Sequence, residues 1–311
     1  MKVLVTGASG FIGRELSAHL AREGHQVFNV VRTATRENSA IAIGDLKDFR
    51  GWDGVVRGMD AVVHLAGRAH ILSDRPESQL DEYRAVNTEA TIALARSCAD
   101  VGVQRLIFMS TVGVNGKVTY DRPFTTDDLA QPHSAYALSK YEAEVALRKI
   151  AESTGLEVVT LRPPLVYGPN APGNFGKMVR WIASGIPLPF GAVTGNRRSL
   201  VGLGNLIDLI TICIDHPRAA NQTFLVSDGQ DMSTAELLQR LSICLGLRPR
   251  LIAVPPRMIR LLGNCMGRKD ILEHLIENLQ VDIQGTRTIL GWTPPVRVEE
   301  EFARIAQLQR K

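Results

Sequence analysis

Two residues near the middle of the chain have the types and the spacing of an acid–base pair. Tyr136 and Lys140 lie four positions apart in the run SAYALSKYEAE, so on a helix their side chains share one face, one turn apart. A free tyrosine has a pKa of about 10, too high for proton transfer near neutrality, and a lysine ammonium nearby would favour the phenolate. The pair predicts proton transfer to a substrate oxygen. The alternative is a structural Tyr–Lys pair on a surface helix.

A glycine-rich turn near the start of the chain is typical of a dinucleotide site. Gly7, Gly10 and Gly13 lie in TGASGFIG, between the apolar run KVLVTG and a stretch of helical periodicity. Such glycines allow a tight turn, a close approach of the backbone to a pyrophosphate and close helix–strand packing, while the helix N-terminus offers free N–H groups. The strand before and the helix after supply the context that the motif requires. The alternative is a strand–helix turn that binds nothing.

The residues that end the second strand bear on the choice of cofactor. An acidic residue at this point would bind the ribose 2′-hydroxyl of NAD. The chain instead reads NVVRTATRENS, with Arg32 at the strand end and Arg36 close by. A cation there suits a 2′-phosphate, so we predict NADP(H), with NAD(H) and a merely solvated arginine as alternatives. Asp45, in IGDLKD, is either an acceptor for the adenine amino group or a turn aspartate.

The elements that must position these residues alternate along the first half of the chain. Runs rich in Val, Ile and Leu, without polar alternation, predict strands of a parallel sheet covered on both faces. The strands are predicted at 2–7, 26–32, 60–67, 105–111 and 156–168, with helices at 13–24, at 87–102 and around Tyr136. This rhythm predicts an α/β fold, a Rossmann-type doubly wound parallel sheet.

The composition of the sequence changes after about residue 168, where Pro and Gly become frequent and the alternation of strands and helices becomes less regular. RSLVGLGNLIDLITICIDHP followed by QTFLVSDG predicts one more helix and strand that return to the sheet. We therefore predict a dinucleotide-binding domain over 1–167 plus about 197–228. A smaller, partly interleaved C-terminal substrate-binding lobe is predicted over about 168–196 plus 229–311.

Composition argues against several classes of protein. The 311 residues are 45% hydrophobic and 22% charged, and the net charge is +4. The basic residues are spread along the chain without the stripe of positive charge that is typical of nucleic-acid-binding proteins. Cys98, Cys213, Cys244 and Cys265 lie far apart without Cys-x-x-Cys, which predicts reduced thiols in the cytoplasm, and no metal site is predicted. The longest apolar stretch, LIDLITICI, is too short to span a bilayer, and MKVLVTGASG predicts a strand and turn, not a signal peptide.

Several motifs together resemble the extended short-chain dehydrogenases/reductases, which include NAD(P)-dependent nucleotide-sugar epimerases, dehydratases and ketoreductases. They are TGASGFIG, HLAG at 64–67, RPPLVYGP at 162–169, the Tyr136-x-x-x-Lys140 pair and the ending LGWTPPVRVEE, which together cover nearly the whole chain. STVGVNG, NRRSLVGLGNL and VSDG are most similar to the bacterial branch that reduces UDP-4-keto-6-deoxy-HexNAc sugars. Those enzymes make UDP-N-acetyl-quinovosamine or UDP-N-acetyl-fucosamine for surface polysaccharide.

The resemblance implies that Thr111, Tyr136 and Lys140 are catalytic. Aligning STVGVNG on the family pattern Ser-Ser-x-x-Val-Tyr-Gly places Thr111 on the catalytic hydroxyl. Lys140 is also expected to hold the nicotinamide ribose. The cofactor-binding residues that the resemblance implies are Gly7, Gly10, Phe11, Ile12, Gly13, Arg32, Asp45, Leu46, Leu65, Ala66, Tyr136, Lys140 and Pro163.

The segment around Thr111 departs from the family pattern in two ways. Asn115 stands where many members carry a tyrosine, and Ser110 becomes the catalytic hydroxyl if the register shifts by one. Dehydratases carry an Asp-Glu pair directly after this hydroxyl, whereas Val112 and Gly113 follow here. Dehydration therefore lacks its acid and base and is not expected.

The resemblance also implies a site for the substrate diphosphate. Asn174 and Phe175 fit the segment that contacts the diphosphate and the sugar, together with Thr111. Arg198, in RRSLV, matches the arginine before the family's His-Val-Asp-Asp stretch, and Arg197 is the alternative contact. A planar guanidinium suits that anion, although a solvated charged loop would explain both arginines.

Three further positions are marked by the resemblance. Gly202 and Gly204 stand where the family has His and Asp. Asn87, on a helix beside the crevice, is expected to anchor the helix of Tyr136 or a water molecule.

The function predicted from the sequence is NAD(P)H-dependent reduction of the C4 ketone of a UDP-4-keto-6-deoxy-N-acetylhexosamine. Tyr136 would donate the proton to the C4 oxygen, and Arg32 favours an exchangeable reductant. One alternative is a UDP-sugar 4-epimerase of the UDP-glucose or UDP-GlcNAc type with tightly held NAD. The other is a non-catalytic NADP-binding regulator, against which the intact Thr111, Tyr136 and Lys140 argue. A homodimer through two long helices of the cofactor domain is usual in the family.

Overall fold

A computed structural model describes residues 1–33, 40–69, 76–265 and 269–309, with the backbone alone at 76–78, 262–265, 269–272, 308 and 309. The strands of this part of the chain are β1 (Lys2–Thr6), β2 (Gln26–Val31), β3 (Ile41–Ala42), β4 (Ala61–His64), β5 (Arg105–Met109), β6 (Glu157–Arg162), β7 (Leu165–Tyr167), β8 (Leu200–Gly202) and β9 (Thr223–Leu225). The helices are α1 (Phe11–Arg22), α2 (Trp52–Val56), α3 (Pro76–Tyr83), α4 (Ala90–Asp100), α5 (Ala135–Ser153), α6 (Gly173–Ala183), α7 (Leu203–Asp215), α8 (Thr234–Cys244), α9 (Pro256–Cys265), α10 (Lys269–Ile276), α11 (Gln284–Leu290) and α12 (Val298–Gln309). A π-helical segment, Arg84–Glu89, joins α3 to α4.

Seven strands form one parallel sheet in the order β3-β2-β1-β4-β5-β6-β9. The order reverses between β1 and β4, and in such sheets the ligand crevice opens where the order reverses, beyond the carboxyl ends of the strands. This confirms the predicted Rossmann-type doubly wound fold. The predicted return of a late helix and strand is α7 and β9, and β9 pairs with β6.

The two faces of the sheet carry separate hydrophobic cores because side chains alternate along each strand. In β1, Val3 and Val5 pack toward α1 and α7, whereas Leu4 packs toward α2, α4 and α5. Both faces are covered, so the three consecutive core positions Val3, Leu4 and Val5 are all apolar and the run shows no polar alternation.

The stretch predicted as one strand over 156–168 is two strands in two sheets. β6 ends at Arg162, and β7 begins after Pro163 and Pro164 and pairs with β8. Proline has no N–H to give to a ladder, so the pair of prolines ends one strand and lets the chain leave the main sheet. The predicted helix at 87–102 likewise begins as the π-helical segment before α4.

A third core lies beyond the carboxyl end of the sheet, among α6, α8, α9 and α12. It corresponds to the smaller lobe of the proposed domain division. Residues 279–292 fall in that lobe by the sequence, but Leu279, Val281, Leu290 and Trp292 pack into the core under the sheet with α7. None of the described helices is both long enough and apolar enough to cross a bilayer.

Candidate active site

In the glycine turn after β1, the backbone of Gly7 lies close to that of Ala66, and the backbone of Gly13 lies close to that of Gly7. Gly7 has φ +69°, and a Cβ on it would lie 2.8 Å from the Ala66 nitrogen. A Cβ on Gly13 would overlap the Gly7 carbonyl oxygen. Helix α1 begins after Gly10, with no side chain capping its first turn. The turn therefore fits a pyrophosphate, since nothing but backbone N–H groups occupies this helix end.

A cavity of about 490 Å³ lies at this turn, at the reversal of strand order. Seven of the predicted cofactor residues line it: Gly7, Gly10, Arg32, Asp45, Leu46, Leu65 and Ala66. Phe11, Ile12 and Gly13 form the first turn of α1 instead, and the Phe11 and Ile12 side chains pack against the cores. Pro163 is buried, and its carbonyl accepts from the Val112 N–H.

The two residues expected to select the cofactor differ in their surroundings. Arg32 is exposed at the rim of this cavity. Asp45 lines it while also accepting from the Lys47 N–H at 3.2 Å, so it is a turn aspartate whose second oxygen can serve a ligand. Arg36 lies outside the described residues.

Tyr136 and Lys140 occupy the first two turns of α5, which begins after Ser134. The Ser134 hydroxyl accepts from the Ala137 N–H at 3.2 Å and so caps the helix. The Lys140 ammonium donates to the Met109 carbonyl at 2.9 Å and lies 4.6 Å from the centre of the Phe108 ring. It also lies against Gly67, in the wall of the cofactor cavity, where a Cβ would approach it to 3.2 Å.

Burial shifts the pKa values of Tyr136 and Lys140 in the directions that favour their uncharged forms. Burial, with Tyr83 second, raises the pKa of Tyr136 to about 12. The rings of Tyr83 and Tyr136 lie 5.9 Å apart. Burial lowers the pKa of Lys140 to about 8, against the opposing effect of Glu144. The phenol is therefore a proton donor in the chain by itself, and formation of its phenolate needs a further positive charge.

The structure distinguishes the two neighbouring hydroxyls that follow β5. Thr111 has extended backbone, with φ −155° and ψ 147°, so its side chain and that of Ser110 point to opposite sides. Thr111 lines a second cavity together with Tyr136. Ser110 is buried and donates to the Glu144 carboxylate instead. Thr111 is thus the hydroxyl that lines the same cavity as Tyr136.

Arg162 and Glu144 form a buried ion pair next to Ser110. Arg162, at the end of β6, donates to the Glu144 carboxylate through Nε at 3.0 Å and Nη2 at 2.6 Å. Its Nη1 donates to the Asn115 Oδ1 at 3.0 Å. Asn115, the position of departure from the family pattern, therefore completes a network that ties β6 and α5 to the segment after β5.

The π-helical segment holds α5 from the side of the cofactor cavity. Asn87 Nδ2 donates to the Ser139 hydroxyl at 3.1 Å and to the Arg68 carbonyl at 3.0 Å. The expected anchor of the Tyr136 helix is thus a direct hydrogen bond. His64, at the end of β4, lies 2.9 Å from the Thr91 hydroxyl and is held neutral because burial, with Lys140 second, lowers its pKa to about 3.

The second cavity has a volume of about 790 Å³ and lies between α5 and the smaller lobe. Its described lining includes the cations Lys177, Arg180 and Arg198, and no carboxylate. Arg198 donates to the Glu277 carbonyl at 2.9 Å, and burial lowers its pKa to about 10. The cavity thus combines the hydroxyls of Thr111 and Tyr136 with three cations, which suits a sugar joined to a diphosphate.

The predicted substrate residues are placed unequally around this cavity. Asn174 lines it, and so does Arg198, whereas Arg197 is exposed and donates to the Thr194 carbonyl outside the lining. The Phe175 side chain is fully buried in the core of the smaller lobe, so only its backbone is available to a ligand.

The two glycines that replace family His and Asp lie under α12. A Cβ on Gly202 would approach the Glu301 side chain to 3.3 Å, and one on Gly204 would lie 2.8 Å from Arg304. Side chains from α12 occupy the space that larger residues would need.

Sequence reasoning missed several residues of the cavity wall. On α6, Lys177, Met178 and Trp181 follow Asn174 by three, four and seven positions, so one helical face enters the cavity. That periodicity was readable in the sequence. His133 and His274, whose ring centres lie 6.4 Å apart, come from distant parts of the chain and had no local signal.

Comparison with known proteins agrees with this geometry. Residues 3–227 match the model of the NAD dependent epimerase/dehydratase family. The chain is 43% identical, over 98% of its length and 94% of the relative's, to a UDP-glucose 4-epimerase of Vibrio cholerae. It is 35% identical to a UDP-2-acetamido-2,6-beta-L-arabino-hexul-4-ose reductase of Pseudomonas aeruginosa, over 58% of this chain and 39% of that one.

The fold is similar to that of MoeE5, solved in complex with UDP-glucose and NAD. The TM-score is 0.78 at 24% identity, and the match covers 100% of this chain and 99% of that one. The family match spans both the glycine turn and the Tyr136–Lys140 helix, and the specific likeness to the keto-sugar reductases expected from the sequence is the weaker of the two relationships. The chain belongs to the NAD dependent epimerase/dehydratase family.

Proposed function

We propose that this protein is a UDP-sugar 4-epimerase. The observation that carries the proposal is the 790 Å³ cavity lined by Thr111, Tyr136 and Arg198, in a chain 43% identical to a UDP-glucose 4-epimerase. This was the alternative in the sequence analysis, and the degree of identity favours it over reduction.

Each group in the cavity has a proposed task. Arg198, with Lys177 and Arg180, binds the diphosphate. Tyr136 takes the proton from the sugar O4 and later returns it, while the Thr111 hydroxyl hydrogen-bonds the same oxygen. Because the cavity is wide, the 4-keto sugar can turn its other face toward the cofactor side before the proton returns.

The glycine turn and the 490 Å³ cavity fit a nicotinamide dinucleotide. When bound, this group accepts a hydride from C4 and gives it back, and its positive charge favours the Tyr136 phenolate. The backbone N–H groups of the α1 first turn would hold the pyrophosphate, and Lys140 the nearby ribose.

Reduction of a UDP-4-keto-6-deoxy-N-acetylhexosamine is the second candidate. Two observations favour it: the cation Arg32 at the cofactor rim and the 35% identity to the Pseudomonas aeruginosa reductase. It uses the same residues but consumes its cofactor.

One experiment separates the two functions. The protein is incubated with UDP-glucose or UDP-GlcNAc without added reductant, and separately with UDP-4-keto-6-deoxy-GlcNAc and NADPH or NADH. Epimerisation is expected, so the 4-epimer should appear in the NMR spectrum of the first mixture. Stoichiometric loss of reduced cofactor in the second mixture, with no epimer in the first, would establish reduction instead.

Replacing Arg198 by Gln is expected to raise KM for the UDP-sugar by about 10- to 100-fold, because a charged hydrogen bond to the diphosphate is worth about 1.5–3 kcal/mol. The kcat should change much less, since the charge lies away from the reacting carbon. Arg197→Gln is the matched control, because Arg197 is exposed outside the cavity. Equal effects of the two variants on KM would remove Arg198 from the site.

Replacing Arg32 by Ala tests the preference for NADP(H). We expect the dissociation constant of NADPH to rise about tenfold and that of NADH to stay nearly unchanged, because only the former places a phosphate near an exposed arginine. Fluorescence titration measures both. Equal dissociation constants of the two cofactors in the unmodified protein would instead support NAD.

The oligomeric state, the cellular compartment and the division into two domains remain proposals. A homodimer through α4 and α5 fits their position side by side on one face of the sheet. The free thiols of Cys98, Cys213 and Cys244 agree with a reducing, cytoplasmic setting. The two-domain division is kept with the exception of residues 279–292.

A further inference from the structure

Exposed apolar side chains are concentrated in one stretch of the sequence, which belongs mostly to the smaller lobe. Of the ten large hydrophobic residues exposed in the described part of the chain, seven lie between positions 181 and 261. They are Trp181, Ile186, Ile243, Leu247, Ile252, Met258 and Leu261. Single exposed apolar residues need no explanation, but such a concentration marks an interaction surface.

Hydrogen bonds join two of these segments side by side. The Leu188 N–H donates to the Arg250 carbonyl at 2.8 Å, and the Ile252 N–H donates to the Leu188 carbonyl at 2.8 Å. The Arg250 guanidinium also donates to the Gly185 carbonyl at 3.1 Å. Ile186 and Ile252 therefore lie on neighbouring segments, and α9 begins four residues after Ile252.

Helix α9 is apolar on more than its core side. Ile259 is 2% exposed and faces the core, whereas Met258 and Leu261 are 55% and 64% exposed. Met258 and Leu261 are three positions apart and so share a face of the helix. We call the surface formed by Ile186, Arg250, Ile252, Arg257, Met258 and Leu261 the basic apolar strip.

The charged residues within the segment that carries most of the strip have one sign. Residues 245–261 contain four Arg and no Asp or Glu. Arg260 is paired with Glu277 at 2.8 Å, but no carboxylate of the described residues pairs with Arg248 or Arg257. Arginine can keep its charge in water while its methylene groups lie on an apolar phase.

We propose that the basic apolar strip binds the surface of an anionic phospholipid bilayer. Apolar side chains flanked by unpaired cations are the composition of an interfacial helix, which lies in the headgroup region without crossing the bilayer. Two copies of the strip meeting face to face would bring like charges together, which argues against a second chain as the occupant.

The strip and the substrate cavity are close in sequence. Trp181 lines that cavity and is itself 37% exposed, five positions before Ile186. The proposal does not depend on which sugar reaction the cavity supports.

Flotation with vesicles tests the proposal. The purified 311-residue chain is expected to float with vesicles of equal parts phosphatidylcholine and phosphatidylglycerol but not with phosphatidylcholine alone, and high salt should reduce flotation by screening. Arg257→Gln should weaken binding about fivefold, and Met258→Ser with Leu261→Ser about tenfold. UDP-sugar turnover in solution should remain unchanged in both variants, which shows that they are folded.

Matched controls use exposed residues away from the strip. Tyr120→Ser with Leu129→Ser changes side chains that are 82% and 85% exposed, and Arg57→Gln with Arg148→Gln removes two exposed cations. Both controls should float like the unmodified protein. Absence of flotation with the anionic vesicles, or equal loss in strip and control variants, overturns the proposal. A dimer in sedimentation velocity that only the strip variants dissociate would assign the strip to a second copy and also overturn it.

Discussion

Replacing Tyr136 by Phe is expected to lower kcat by about 10²- to 10⁴-fold while the cofactor still binds. The substitution removes only the phenolic oxygen, which is the proposed proton carrier, and general acid–base catalysis contributes about this factor. The phenylalanine ring keeps its place beside Tyr83, 5.9 Å away. Turnover of the UDP-sugar and the dissociation constant of the cofactor are the two measurements.

Tyr141→Phe is the control for this prediction. Tyr141 is on the same helix, five positions further along, and lies outside the lining residues of the substrate cavity. It should turn over the substrate like the unmodified protein. If Tyr136→Phe retained near-normal kcat, the assignment of Tyr136 as the proton carrier would be wrong.

The direction of the pKa shift explains why the cofactor matters to this residue. Burial raises the pKa of Tyr136 to about 12, so in the protein alone the phenol stays protonated at neutral pH. Lys140 directs its ammonium to the Met109 carbonyl and the Phe108 ring. Its contribution is therefore a field at short range, to which the charge of an oxidised nicotinamide must add before Tyr136 can act as a base.

Replacing Glu144 by Gln is expected to lower the free energy of unfolding by about 3–5 kcal/mol, because it leaves the buried Arg162 without its counter-charge. Arg162 and Glu144 are 4% exposed each, and an arginine cannot lose its proton to escape the cost. Urea unfolding measures the change. Activity should fall with it, since the pair ties β6 to the helix that carries Tyr136.

The control removes both charges at once. Glu144→Leu with Arg162→Met replaces the pair by apolar side chains of similar size, which is often close to neutral for stability. The double variant should therefore be more stable than Glu144→Gln alone. If Glu144→Gln unfolded at the same urea concentration as the unmodified protein, the ion pair would not support this part of the fold.

Local sequence patterns were enough to predict the fold class of this protein. The strand runs, the glycine turn and the Tyr136–Lys140 spacing each follow from interactions within a few residues. Strand runs that are apolar throughout, without alternating polar residues, indicate that both faces of the sheet are covered.

Choices between neighbouring residues needed the tertiary structure. Thr111 faces the substrate cavity, but Ser110 is held by Glu144, which lies 34 positions away. Likewise Arg198 lines the cavity and Arg197 does not. Adjacent residues of extended backbone point to opposite sides, so a shift of one residue exchanges their roles.

The sequence by itself determined that the chain is a doubly wound α/β protein with a turn suited to a dinucleotide and a tyrosine paired with a lysine. Only the tertiary structure decided which hydroxyl and which arginine line the same cavity as that tyrosine, brought His133 and His274 together, and placed Phe175 in a core. The physical reason is that periodicity and turn chemistry act over one element, whereas the wall of a cavity is assembled from elements far apart in sequence whose packing sets the facing of each side chain.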